Sequence, residues 1–144
     1  MPRFRDTVPS SRSAEETFAY LAAFERVSEW DPSIESSVRV DDGTLRVGSS
    51  FDVVVRMGSG PLALRYTVTR LDPPRSIELE ARSGRFDILD AIHVEPAGDG
   101  ATVTYETTLA TKGLWRLASP LVQRALDRLA AEAMTGLRRR LSVG

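Results

Sequence analysis

Phe86-Asp87-Ile88-Leu89-Asp90-Ala91-Ile92-His93-Val94 repeats with a period of two, the signature of a strand with one buried face. Phe86, Ile88, Ile92 and Val94 share that face, and Asp90 shares it with them. The neighbouring runs behave alike. Phe51, Val53, Val55 and Met57 alternate with Asp52, Val54 and Arg56, and Leu62, Leu64, Tyr66 and Val68 take one face after Gly58-Ser59-Gly60-Pro61. Ile77, Leu79 and Ala81 oppose Glu78, Glu80 and Arg82. Val103, Tyr105, Thr107 and Leu109 alternate with Thr102, Thr104, Glu106 and Thr108. Turn signals separate these runs at Asp41-Asp42-Gly43, Asp72-Pro73-Pro74-Arg75, Ser83-Gly84 and Pro96-Ala97-Gly98-Asp99-Gly100. A series of antiparallel hairpins with one apolar face must bury that face against another element.

The C-terminus supplies the cover. Ser119-Pro120 reads as a cap followed by proline at the first helical position. Val122, Leu126, Leu129, Ala133 and Leu137 fall in one stripe, with Arg124, Asp127, Arg128, Thr135, Arg138 and Arg139 opposite. Roughly 22 residues of helix reach about 33 Å, enough to cross a small sheet. At the other end, Arg3–Val8 reads as a strand ended by Pro9, and Ser13-Ala14-Glu15-Glu16 has the form of a capping box. A helix carrying Phe18, Leu21 and Ala22 on one face follows, then a second short helical piece over Glu25–Trp30 stopped by Asp31-Pro32. The expected fold class is α+β: a curved antiparallel sheet of about six or seven strands around a long C-terminal helix, with two short helices after the first strand.

The bulk properties limit the function. A chain of 144 residues suits a single domain over 1–144. Its 19 basic and 20 acidic residues give a formal charge of −1, so no electrostatic footprint for nucleic acid or an anionic membrane is expected. The absence of Cys excludes disulfides and thiolate chemistry, and the lone His93 excludes a site needing two imidazoles. The first residues lack the apolar stretch of a signal peptide, and no apolar run approaches a bilayer span. The expected location is cytoplasmic, with no cofactor, no metal and no stable membrane insertion, in a monomer or homodimer.

The chain resembles the START-related and birch-pollen-allergen-related superfamily of helix-grip folds, known as SRPBCC, and within it the bacterial polyketide cyclase/dehydrase-like branch. The likeness is carried by Ser13-Ala14-Glu15-Glu16-Thr17-Phe18-Ala19-Tyr20-Leu21, by Trp30-Asp31-Pro32, and by Tyr66-Thr67-Val68-Thr69 with Asp72-Pro73-Pro74-Arg75. Thr102-Val103-Thr104-Tyr105 and Lys112-Gly113-Leu114 continue it. These motifs run in order over essentially the whole length and mark turns and caps. The resemblance implies a cavity between sheet and long helix that takes lipids, sterols, quinones, polyketides or hormones. It carries over no catalytic residue.

Asp90 is the candidate for chemistry, because an inward carboxylate must find hydrogen bonds or stay protonated. Burial would raise its pKa and prepare a general acid or base; the alternative is a structural hydrogen bond or a bulge that turns it outward. Tyr66 and Tyr105 face the same way and could orient a ligand oxygen or simply fill core. Trp30, Phe51, Met57, Leu64, Phe86, Ile88 and Met134 are the candidate walls, with Trp30 alternatively a turn-packing residue. His93 has the opposite parity and is expected to face solvent. Gly136, with Ala125, Ala130 and Ala133, leaves room beside the helix for close contact or for ligand volume. Three functions stay open: binding of a small hydrophobic ligand, a cyclase or dehydratase using Asp90, and a protein-interaction module without a ligand.

Overall fold

A computed structural model describes residues 1–57 and 60–142. Gly58-Ser59, which belong to the Gly58-Ser59-Gly60-Pro61 break, and the side chain of Met57 lie outside the described residues. The strands are β1 (Arg3–Ser10), β2 (Ile34–Arg39), β3 (Ser50–Met57), β4 (Gly60–Asp72), β5 (Ser76–Arg82), β6 (Phe86–Ala97) and β7 (Gly100–Thr111). They form one antiparallel sheet in the order β1-β7-β6-β5-β4-β3-β2, curled into a half-barrel. Helix α1 (Ala14–Ala22) and a 3₁₀ helix (Phe24–Glu29) carry the chain from one sheet edge to the other. A second 3₁₀ helix (Gly113–Ala118) leads into α2 (Ser119–Ser142).

The alternation predicts the inner face of five strands. Phe51, Val53, Leu64, Tyr66, Val68, Ile77, Leu79, Ala81, Asp90, Ile92, Val94, Val103, Tyr105 and Thr107 are all buried. Alternation of Val38 and Val40 would begin the inner face at β2, but both are exposed, Val40 just past the strand, and Ile34 is buried instead. A register shift between Ile34 and Ser36 is the cause: one extra residue inverts the parity that follows. Ser37 consequently turns inward and donates from Oγ to the Phe24 carbonyl at 2.9 Å.

Three local expectations need correction. Pro9 does not end the first strand; β1 runs to Ser10, with Pro9 opposite Thr102. An edge strand tolerates proline because one row of its amides has no neighbour to serve. Ser119 does not cap α2. Its backbone is already helical (φ −50°, ψ −41°), continuing from the 3₁₀ helix before it, and its hydroxyl lies 3.3 Å from that of Thr111. At α1, Ser13 Oγ accepts from the Glu16 amide at 3.1 Å as a capping box requires, but the Glu16 carboxylate accepts from the Ser13 hydroxyl rather than from its amide.

Helix α2 is attached unevenly. Its C-terminal half buries Ala133, Met134, Leu137 and Leu141. Ser11 donates from both its amide and its hydroxyl to the Leu141 carbonyl, and Arg138 pairs with Asp6 at 2.9 Å. Arg140 donates to the Glu29 carbonyl at 3.1 Å, so two arginines of the run Arg138-Arg139-Arg140 tie the helix to the rest of the fold. Gly136 lies so close to Trp30 that a Cβ there would run into the Trp30 carbonyl oxygen. The missing side chain therefore permits backbone contact and contributes no ligand space. At the other end, Gln123 exchanges two hydrogen bonds with the Arg3 backbone, at 2.9 and 2.8 Å. Between these anchors the N-terminal half of α2 has no fully buried side chain before Ala130.

Gly136→Ala tests this seating. Alanine is the better helix former by about 1 kcal/mol, yet forcing a methyl against backbone costs about 1–3 kcal/mol. The expected result is a net loss of up to about 2 kcal/mol in urea unfolding. A variant more stable than the parent would show that α2 does not rest on Trp30.

Candidate functional site

The half-open seat of α2 leaves a cavity of about 240 Å³ beneath its N-terminal half. Val122, Leu126 and Leu129 form the roof, the same stripe that the helical period selects, and Ala125, Ala130 and Ala133 leave space between them. The floor is the inner sheet face, with Val55, Tyr66, Phe86, Ile88, Tyr105 and Leu109. Phe24, Val27 and Ile34 close one side. A wall this apolar, interrupted by a few polar groups, has the character of a small-molecule site.

Of the predicted wall residues, Tyr66, Phe86, Ile88, Asp90 and Tyr105 line the cavity. Trp30, Phe51, Leu64 and Met134 do not. They are buried in the packed core behind it. Trp30 meets the Tyr105 ring edge-on, with centroids 6.0 Å apart, and Phe51 packs against Phe24 at 5.7 Å. Phe24 in turn touches Tyr66 at 5.2 Å. These rings hold the lining residues from behind. His93 is exposed on the outer face, with Nε2 3.1 Å from Glu95.

Asp90 is 4% exposed, and its Oδ1 has no hydrogen-bond partner. Burial pushes its pKa from 3.8 up to about 6; the nearby hydroxyls of Thr107 and Tyr105 oppose the rise, and the charge of Asp31 adds to it. Asp31 is a second carboxylate on the cavity wall. Its Oδ1 accepts from the Ser33 amide at 2.9 Å and hydroxyl at 2.7 Å. Burial raises its pKa too, against the pull of those bonds. The phenols of Tyr66 and Tyr105 are driven well above their ordinary range, first by burial and then by the negative charge of Asp90 and Asp31. Both stay protonated and able to donate.

Sequence reasoning missed Asp31 as a site residue because it belongs to a turn, where no period reports direction; Trp30-Asp31-Pro32 marked only the end of a helix. Thr107 was legible by parity but was not singled out. The mouth was missed altogether. Arg85 and Trp115 line it, with the guanidinium 5.1 Å from the indole centroid. Leu114 and Leu117, each 83% exposed, flank Trp115 on the 3₁₀ helix. Among the described residues no cluster of three His, Asp or Glu side chains is arranged to hold a metal ion, and no helix is long and apolar enough to cross a membrane.

A sheet curled around a long terminal helix, with an apolar cavity between them, is also what family comparison returns. The model of the polyketide cyclase/dehydrase and lipid transport family matches residues 1–142. The chain belongs to this family. Solved structures agree on the fold of this family member. TTHA0849 from Thermus thermophilus superposes with a TM-score of 0.80 at 16% identity, covering 97% of each chain. A START superfamily protein from Mycobacterium smegmatis does so with 0.80 at 16%, covering 96% of each. The di-domain aromatase/cyclase StfQ of the steffimycin biosynthetic pathway aligns with 0.73 at 18%, over 94% of this chain and 48% of its own. No curated protein matches in sequence.

The raised Asp90 carboxyl has a thermodynamic consequence. A carboxyl whose folded pKa exceeds its unfolded value binds more protons when folded, so it costs stability as pH rises from about 4 through about 6. At neutral pH this cost approaches about 3 kcal/mol, from the two-unit shift. Relative to Asp90→Asn, the parent protein is therefore expected to lose stability between acid and neutral pH in urea melts. Parallel profiles for the two proteins would mean that the Asp90 carboxyl is not desolvated.

Proposed function

We propose that this protein binds a small hydrophobic molecule in the cavity between the sheet and the N-terminal half of α2. The observation that carries the reading is the half-open cavity of about 240 Å³ walled by Val55, Ile88, Leu109, Leu126 and Leu129. A well-packed interior leaves few voids larger than a water molecule, so an apolar space of this size that is not put to use would only cost stability. Family membership and the START-type neighbours support a receptor or carrier for a lipid, quinone or polyketide-like compound.

A second reading, that of a cyclase or dehydratase, is favoured by one feature: a carboxyl tuned to about 6 beside two phenols that stay protonated. Such a carboxylate can take a proton from the carbon between two ketones. A tyrosine then donates a hydrogen bond to the enolate oxygen while the enolate carbon adds to a further ketone of the same chain, whose C=O π pair becomes an alkoxide and takes the proton back from Asp90; Asp90 next removes the remaining α-proton and returns it to the departing hydroxyl, which leaves as water.

One titration distinguishes these readings from a module that holds no ligand. The neutral fluorophore N-phenyl-1-naphthylamine should bind with micromolar affinity and gain emission. Ala130→Phe, which fills the cavity from above, should weaken it at least about tenfold while still melting cooperatively. Equal affinity in a folded Ala130→Phe protein would place the ligand elsewhere. Ring closure of a triketone surrogate, a β-diketone with a third ketone placed for a six-membered ring, lost in Asp90→Asn with dye binding intact, would select the enzyme; no conversion by the parent would select the carrier.

A further inference from the structure

The cavity is apolar in area but one-sided in charge. Asp90 and Asp31 are the acidic groups on its wall, and Arg85 is the one basic side chain among the described lining residues. Arg85 is not inside. It is exposed at the mouth, stacked on Trp115, where solvent screens its charge. Asp31 Oδ1 is occupied by Ser33. Asp90 Oδ1 is not occupied by anything, although the residue is 4% exposed. A buried acceptor without a donor costs about 1–3 kcal/mol, and more when it is charged. The Tyr105 and Thr107 hydroxyls lie near the carboxyl and favour its charged form, but neither makes a hydrogen bond of good geometry to Oδ1; the phenols of Tyr66 and Tyr105 add two groups on the same wall able to accept through oxygen and donate through hydrogen.

We propose that the cavity selects apolar molecules carrying a hydrogen-bond donor, an ammonium or a hydroxyl, at the end that meets Asp90, and rejects apolar carboxylates. The inference rests on the ligand-binding reading and specifies its substrate class. A donor placed on Asp90 Oδ1 satisfies the orphan acceptor, and an ammonium also neutralises the charge that Asp31 and Asp90 concentrate in a low-dielectric space. A carboxylate head in the same place would add a third negative group with no buried cation to meet it, a like-charge contact that costs several-fold in affinity. An anionic amphiphile could enter only with its head outside, near Arg85. That pose would leave Asp90 unsatisfied.

Four probes of one shape decide the matter: β-naphthylmethylammonium, β-naphthol, β-methylnaphthalene and β-naphthoate, titrated into the protein at neutral pH by calorimetry. The ammonium and the phenol should bind about tenfold or more tightly than methylnaphthalene. Naphthoate should bind at least about tenfold more weakly than methylnaphthalene. In Asp90→Asn the ammonium should lose its advantage and naphthoate should recover, while methylnaphthalene is unchanged. Should that variant fail to fold, Asp31→Asn keeps the Ser33 contacts available and should narrow the gap between ammonium and carboxylate. Equal binding of all four by the parent protein, or a preference for naphthoate, would overturn this inference and leave the cavity reading standing. Failure of methylnaphthalene and all the others to bind would overturn both. The predicted order persisting unchanged in folded Asp90→Asn would remove Asp90 from the recognition.

Discussion

The contact between the Trp30 carbonyl and the backbone of α2 at Gly136 sets the height at which the long helix sits. Because no side chain intervenes, the helix descends onto the core there, and Met134, Leu137 and Leu141 become fully buried. One turn earlier the stripe changes to Leu129, Leu126 and Val122, which are only partly buried and have the cavity beneath them. A rigid rod seated closely at one end and held at the other by Gln123 cannot follow a sheet that curls away from it. The space that remains is a geometric result of a straight helix on a curved sheet, and small residues at 125, 130 and 133 enlarge it.

Electrostatics then separates this space from an ordinary packing defect. An empty apolar cavity would need no carboxylates on its wall, and a satisfied structural aspartate would have found partners. Asp31 has them in Ser33, whereas Asp90 has one oxygen without any. The fold bears the cost of an unmet acceptor on the wall of the cavity beneath the helix. Functional sites are where local interactions are left incomplete in this way.

Much of this was legible in the sequence where a period governs direction. Tyr66, Asp90 and Tyr105 were placed inward by counting in twos, and Val122, Leu126 and Leu129 were placed on one helical stripe; both sets meet at the cavity. Counting failed where the backbone departs from regularity. The bulge in β2 exposed Val38, and the Trp30–Ser33 turn delivered Asp31 to the wall by a path that no repeat describes. Separating lining from backing was also beyond the sequence. Phe51, Leu64 and Met134 share parity or stripe with true wall residues, but the curl of the sheet and the tilt of the helix decide which of them meet a void. Trp30 was read as wall or turn packing. The structure makes it the seat of the helix.

Xenon offers the most direct test of the central claim, since it enters apolar cavities and demands no specific chemistry. Crystals of the protein under xenon pressure should show a bound atom between Leu126 and Ile88, and none beside Leu137, where the helix is seated. An interior packed solid beneath Leu126, with no xenon there, would contradict the account.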